Sequence, residues 1–488
     1  MPSNLSGQYA AILQSKITPP ISGRHHLQRE DIVQTIADAD SARLVMVSAG
    51  AGFGKSTLLQ QYHAHCLTIG RAAIWLTADA SDNDLQRFIN HIDAAFHRQR
   101  TAPDPGGDGA LFDAGDDLLN RIGTIQVPFS LLIDEFEQVK NQQVLDFVQQ
   151  LLERMPPTGL LLIGSRTTPD FRVGRLRARG QVIEIGPILL RFSQSETSRL
   201  VRDIHKLALG DEDIAALHRQ TEGWPAAIYL AILSLYNHSD YATFVASFSG
   251  SHLELAEYLA EDILSKQSIE NQAFLMETSI LDQLTAPLCD AITGRNDSQQ
   301  VLDYLESANL FLFPADDRRE WYRYHRLFAS FLHGALKRRD PERPRALQRA
   351  AARWYFSVNR PIRAINHLIE ARDIAEASRR IAEHAAELMN AGRSRLLLRW
   401  LDHLPTDMLY AEPKLLVACA WALIVNRHYQ DASRILEYFA TKEQDAQYKP
   451  YTLEIDTLRC LLLLVTDRVE ECCVFGLKQL DHLLPSDQ

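Results

Sequence analysis

The first part of the chain carries four short, near-continuous apolar runs separated by longer stretches of helical period. They are Leu44-Val45-Met46-Val47, Ala72-Ala73-Ile74-Trp75-Leu76, Phe129-Ser130-Leu131-Leu132-Ile133 and Leu160-Leu161-Leu162-Ile163. Runs of this kind, without apolar/polar alternation, belong to strands buried on both faces. Alternating with helices, they predict a parallel sheet covered on either side. After about residue 190 the pattern becomes helical and stays so. Ser193 with Glu196 three residues later predicts a capping box. Thr221-Glu222-Gly223-Trp224-Pro225 separates two helices, with proline at a first helical position.

A weak internal repeat marks the C-terminal part. Trp354 is followed by Asn359-Arg360 and Ala364; Trp421, 67 residues on, is followed by Asn426-Arg427 and, one residue late, Ala432. That spacing is close to two helix-turn-helix units of the 34-residue tetratricopeptide class. Ile365, Leu368 and Ile369, then Leu397, Trp400, Leu401 and Leu404, form apolar stripes that read as core. One helix pair cannot bury such a stripe, so the units are expected to stack into an α-solenoid. Pro341-Glu342-Arg343-Pro344 is the expected link into it.

The candidate chemistry lies at the polar tips of the apolar runs, which in a parallel sheet converge at the strands' C-terminal ends. Residues 49–56 read Ala-Gly-Ala-Gly-Phe-Gly-Lys-Ser, between the first run and a segment, 57–64, free of Gly and Pro. Strand, glycine-rich turn and helix start make a P-loop that cradles a nucleotide's phosphates. At Gly52 and Gly54 no Cβ keeps the backbone N–H groups from the phosphates, and the helix N-terminus adds its positive end. Lys55 is expected on the β/γ oxygens and Ser56 on Mg²⁺, with Gly50 and Thr57 completing the nucleotide-binding set; Ala49 stands where the strict pattern has glycine. Asp134-Glu135, closing an apolar strand, is the Walker B arrangement: Asp134 for the metal shell, Glu135 as the candidate catalytic residue that orients water. Arg166, after the fourth run, is the candidate γ-phosphate sensor. Trp224-Pro225 reads either as a plain turn or as an aromatic and a proline beside a base. His325, within Tyr322-Arg323-Tyr324-His325-Arg326, reads equally as a packed core residue or a ligand contact.

At 488 residues the chain exceeds one core and calls for three or four domains. Its 46% hydrophobic and 23% charged residues are ordinary for a globular protein. The net charge of -11 excludes a general basic footprint for nucleic acid. No apolar stretch of spanning length and no signal pattern is present. The six cysteines lack metal-type CxxC pairing and read as reduced thiols of a cytoplasmic protein, Cys472-Cys473 being the one redox candidate.

The order of these motifs resembles the MalT-like family of large ATP-dependent regulators, which with AlkS belongs to the signal-transducing P-loop ATPases. The resemblance runs from about Ile17 to about Leu484. Leu27-Gln28-Arg29-Glu30 is similar to the family's segment on the adenine side of the nucleotide, which puts Arg29 in the binding set. Gly52-Phe53-Gly54-Lys55-Ser56-Thr57 resembles its phosphate turn, and Asp82-Asn83-Asp84 before Phe88 its acidic turn. Gly164-Ser165-Arg166 with Arg175-Leu176-Arg177 resembles its sensor segment. Glu222-Gly223-Trp224-Pro225-Ala226-Ala227 resembles the Gly-x-Pro motif that sets Pro225 against the base. Trp321-Tyr322-Arg323-Tyr324-His325 is similar to the winged-helix motif whose histidine reaches the β-phosphate of ADP.

The resemblance implies an α/β P-loop NTPase domain followed by all-α helical and winged-helix domains and a TPR-like α-solenoid. The expected boundaries are a tail at 1–20, the nucleotide-binding domain at 21–190, a helical lid at 191–250, the winged helix at 251–340 and the repeats at 341–488. It further implies a slow ATPase used as a transcriptional switch: ADP holds it closed, and ATP with a small-molecule inducer or regulatory protein on the solenoid opens it to self-associate. No membrane partner is expected. The family's LuxR-type DNA-binding domain has no room after Leu484, so the chain is expected to be either a fragment of a longer regulator, the favoured reading, or a natural short form, with DNA bound only through the domain it lacks. Two other readings stay open, a P-loop ATPase whose output is hydrolysis and a TPR-like scaffold stabilised by nucleotide.

Overall fold

The computed structural model describes residues 15–20, 26–99, 114–169, 171–236, 240–442 and 445–483. The tail before residue 15, His25 and residues 484–488 lie outside them. The chain divides into two compact units, Met1–Ala286 with Asp297–Ala335, and Pro287–Asn296 with Leu336–Gln488.

The first unit is built on a five-stranded parallel sheet. The four apolar runs form β1 (Leu44–Ser48), β2 (Ala72–Thr77), β3 (Phe129–Asp134) and β4 (Gly159–Ser165). A fifth strand, β5 (Val182–Ile185), escapes the apolar-run pattern because it is an edge strand, half-exposed and carrying Glu184. The order is β2-β3-β4-β1-β5, so β4 separates the P-loop strand from the Walker B strand. Register keeps the tips level: Ser48 pairs with Ser165, Ile133 with Ile163 and Thr77 with Asp134. Leu44, Val45, Val47 and every apolar residue of Leu131-Leu132-Ile133 are fully buried, as the lack of alternation requires.

Helices follow the sheet. Gln194–Ser198 opens with the expected capping box, Ser193 Oγ accepting from Glu196 N–H and the Glu196 carboxylate from Ser193 N–H. Asp211–Thr221 and Pro225–Leu235 flank the glycine turn, with Pro225 in the first turn of its helix. Further on, Ile269–Thr278 and Ser298–Ser307 lead into an antiparallel hairpin of β6 (Leu312–Pro314) and β7 (Tyr322–Tyr324), and then the helix Arg326–Arg339.

The second unit is helical. From Arg343–Ser357 to Val469–Leu483 it runs as successive helices joined by short turns. Ile365, Leu368, Leu397, Trp400, Leu401 and Leu404 are buried, and the Trp400 indole donates to Asn366 Oδ1 at 2.7 Å. The one-residue offset between the two copies has a backbone cause. The left-handed residue that ends the helix is Asn359 in the first copy (φ 55°) but Arg427 in the second (φ 66°). Among the described residues no helix is long and apolar enough to cross a membrane, and the six cysteines form no disulfide.

Candidate functional site

β1 ends in a turn that needs its glycines. Gly52 (φ 71°) and Gly54 (φ 82°) take left-handed backbone, and Gly54 caps the helix Lys55–Thr68. Lys55 Nζ donates to Gly50 O across the loop at 2.9 Å. Burial lowers its amine to about 8, and Glu137 is the strongest of the charges that oppose this, ahead of Asp134 and Glu135. The Ser56 hydroxyl lies beside the Asp134 carboxylate and favours its charged form. Asp134 is 3% exposed; burial raises its pKa against the nearby Ser56 hydroxyl and a hydrogen bond from Glu135 N–H at 3.0 Å. Gly164 on β4 makes the space, since a Cβ there would lie 2.8 Å from Asp134 Oδ1. A hydroxyl beside a buried carboxylate is an oxygen-only donor pair suited to Mg²⁺. Glu135 has left-handed backbone (φ 55°), and its carboxyl is raised by burial and by Asp134 and Glu137.

Arg166 follows β4 and is not free: Nε meets Glu137 Oε1 at 3.1 Å, and its N–H donates to Glu137 Oε2 at 3.0 Å. Its carbonyl accepts from Asn309 Nδ2 at 2.7 Å. Neither Glu137 nor Asn309 was marked by the sequence. β3 and β4 being neighbours is what brings Glu137 to Arg166, and strand order is not readable from the runs themselves.

On the other side of the loop a cavity of about 200 Å³ is lined by Leu27, Arg29, Thr57, Leu190, Pro225 and Tyr229 among others. Whole small-molecule pockets run to roughly 300–1,000 Å³, so this one suits the base end of a nucleotide. Gln61 fixes its wall, donating to Leu27 O and accepting from Arg29 N–H, both at 2.9 Å. The Arg29 guanidinium does not point at the loop. It donates to the carbonyls of Leu189 and Leu190 at 2.7 Å and meets Glu196 at 3.1 Å, fastening its segment to the helical region.

The glycine turn at Gly223 docks onto the P-loop itself. Ala226 N–H donates to Gly52 O at 3.1 Å and the Trp224 indole to Ala51 O at 3.2 Å. From the hairpin region Asn309 O sits where a Cβ on Gly50 would be only 2.4 Å away. Trp224 is fully buried against Phe53, Phe311, Tyr258 and His325. His325 is fully buried too; its Nε2 lies 3.0 Å from Thr221 O, while Nδ1 has no hydrogen-bond partner. Burial lowers its pKa to about 4, so the ring is neutral and Nε2 carries the proton that Thr221 O accepts. Beside it Glu222 (φ 49°) takes both Arg323 nitrogens at 3.1 and 2.9 Å. Gly223 (φ 71°) admits no side chain, because a Cβ would meet Phe192 O at 2.3 Å. Gly223→Ala is expected to cost about 1–3 kcal/mol and lower the melting temperature; an unchanged melt would contradict this tight turn.

This loop, Walker B tip and sheet define a P-loop NTPase fold, with helical, winged-helix and solenoid parts following along the chain. Residues 260–344 match the MalT winged helix domain. The chain is 29% identical over 469 residues to the serine/threonine-protein kinase PknK of Mycobacterium tuberculosis, covering 93% of this chain and 42% of that protein. It is 28% identical over 490 residues to the HTH-type transcriptional regulator MalT of Vibrio cholerae, covering 96% and 53%. Among solved structures it is similar to a signal-transduction ATPase with a tetratricopeptide-repeat sensor from Pyrococcus horikoshii, with 13% identity, 94% and 65% coverage and a TM-score of 0.37. The chain is thus similar to MalT over most of its length and contains a stretch matching the MalT winged helix domain. It spans about half the length of the curated relatives it matches.

Proposed function

We propose that the protein is a nucleotide-dependent regulatory switch in which the P-loop's occupant is read by the helical and winged-helix regions. One observation carries this reading: two backbone oxygens of the loop, Gly52 O and Ala51 O, accept from Ala226 N–H and the Trp224 indole, and Asn309 O fills the space a side chain on Gly50 would need. An enzyme whose output is hydrolysis has no need to brace its phosphate loop against accessory elements. A switch does, because a ligand shifts an equilibrium only through contacts that differ between two states.

In this reading ATP or ADP binds with its phosphates on Gly50, Gly52, Gly54, Lys55, Ser56 and Thr57. Its base lies in the cavity beside Arg29 and Pro225, with Mg²⁺ held by Ser56 and Asp134. The metal supplies charge neutralisation on the phosphate oxygens. Glu135 orients the attacking water, and its raised pKa comes from burial first. Arg166 senses the third phosphate. His325 joins the winged helix to the helical region through Thr221 and, on turning, reaches the β-phosphate. A small-molecule inducer or regulatory protein acts on the solenoid, and the ATP form self-associates. The two named relatives match this same stretch yet carry different outputs, a kinase and a transcriptional regulator. That supports placing the shared function in switching. Transcriptional control is the output the regulator supports.

The test is to denature the purified protein, identify the released nucleotide, and measure turnover. Retained ADP with slow turnover is expected. Glu135→Gln should lower turnover at least tenfold while keeping ATP bound, since the carboxamide holds the shape but cannot act as a base. Fast turnover would favour a motor, absence of nucleotide a scaffold, and unchanged turnover in the variant would remove Glu135 from the chemistry.

A further inference from the structure

Glu137 stands on the single turn Phe136–Gln138 after β3, and Arg166 at the tip of β4; the two strands pair in register, so their tips lie side by side. Both carboxylate oxygens of Glu137 are taken by one residue, Oε1 by the Arg166 guanidinium at 3.1 Å and Oε2 by the Arg166 N–H at 3.0 Å. Its side chain is 12% exposed, against 37% for Arg166, so the carboxylate is the sheltered partner. On the other side, Asn309 holds the Arg166 carbonyl. The same carboxylate acts on Lys55 more strongly than Asp134 or Glu135 does. One carboxylate therefore pairs with Arg166 and acts at a distance on Lys55, the two cations that a terminal phosphate would need. A third phosphate must compete with Glu137 for the Arg166 guanidinium, whose Nε the carboxylate holds, and it meets the repulsion of that carboxylate as it arrives. A diphosphate ends one group short and meets neither cost.

We propose that Glu137 is a positioning and specificity-determining residue, an internal competitor for the terminal phosphate that holds Arg166 when that phosphate is absent and biases the site towards the diphosphate. The inference rests on the P-loop reading above. It gives that switch a resting preference without any change in the P-loop motif. The plain alternative is a structural ion pair that stiffens the sensor turn, whose loss would weaken both nucleotides alike.

Dissociation constants for Mg-ADP and for a non-hydrolysable Mg-ATP analogue, measured by calorimetry on the wild type and Glu137→Gln, separate the two. Glutamine can still accept the Arg166 N–H but carries no charge. The analogue is expected to bind about tenfold tighter, equivalent to 1.4 kcal/mol, with ADP affinity within about twofold. In an Arg166→Gln background the same change should have a smaller effect on the analogue, because the two residues act as a pair. An unchanged ratio of the two affinities, or an equal change in both, overturns the proposal. Should Glu137→Gln fail to fold, Glu137→Asp keeps the charge but shortens its reach. It should then move the ratio in the same direction by less, and an unmoved ratio overturns the proposal equally. If the wild type binds neither nucleotide, the P-loop reading itself falls and this inference with it; if it binds both and only the ratio fails to respond, the P-loop reading stands and Glu137 is structural.

Discussion

Lys55→Ala is expected to lower nucleotide affinity by at least about a hundredfold. Lys55 is the one cation in residues 49–56, and charge-assisted hydrogen bonds are worth roughly 1.5–3 kcal/mol each. An ammonium reaching two phosphates thus supplies about 3 kcal/mol or more, or two powers of ten. The fold should survive, because what the lysine contributes without ligand is one hydrogen bond, to Gly50 O. The same residue gives a pH signature. Burial lowers its amine to about 8 in the free protein, and a bound phosphate would raise it again. Affinity should therefore be flat below about pH 8 and fall above it, as the free protein loses the proton that binding requires. Calorimetric titrations from pH 7 to 9.5, on wild type and variant, check both statements. Unchanged affinity in Lys55→Ala would remove the P-loop from nucleotide binding.

What could be read from the sequence was what local pattern controls. The turn at residues 49–56 announces itself because glycine is needed where φ is positive, at 52 and 54. Strands β1 to β4 do so because burial on both faces removes polar alternation, and β5 does not because one edge of it is wet. Ser193 and Glu196 sit three apart, and their capping box needs nothing else to form. Residues whose roles depend on distant partners stayed hidden. Glu137 needs β4 beside β3; Asn309 lies 143 residues from the Arg166 carbonyl it holds. Lys16, Asp82 and His91 meet as a buried polar cluster, with Asp82 bonded to both neighbours at 2.7 and 2.6 Å, although only Asp82 stood out in the motif. Arg29 was legible as a position in a motif, yet its guanidinium turns to three backbone carbonyls, Leu189, Leu190 and Arg191, which no spacing rule foretells. His325 was balanced between core residue and ligand contact, and its local sequence could not tell where its ring would lie. It is fully buried, bonded to Thr221 O, and has a second nitrogen without a partner.

Glu222→Asn is expected to loosen the junction between the glycine turn and the β6–β7 hairpin, and to speed nucleotide release by one to two powers of ten. Glu222 accepts two bonds from Arg323 and one from Arg326 N–H at 3.1 Å, with Arg191 at 3.5 Å. Arg191 and Arg323 both lie over the Phe313 ring, so removing the carboxylate leaves two cations together without their shared counter-charge. Arg323 is 40% exposed, which discounts the ion pair; about 1.5–3 kcal/mol remains for the group of bonds. Asparagine is the right replacement because the position has φ 49°, where alanine would add backbone strain of its own. Glu222 also favours the charged form of His325, though burial wins and holds that pKa at about 4. A histidine depressed in the folded state stabilises it least in acid: as pH falls through 6.5 the unfolded chain takes up a proton that the folded one refuses until about 4. The junction should therefore weaken progressively between pH 6.5 and 4 in the wild type, and His325→Phe should flatten that dependence. Hydrogen exchange at residues 221–227 and 322–328, followed with ADP dissociation on the same variants, tests the coupling. Faster exchange at the junction with faster ADP release is expected in Glu222→Asn. Faster exchange with ADP leaving at the wild-type rate would mean that the junction packs the domain without governing the nucleotide.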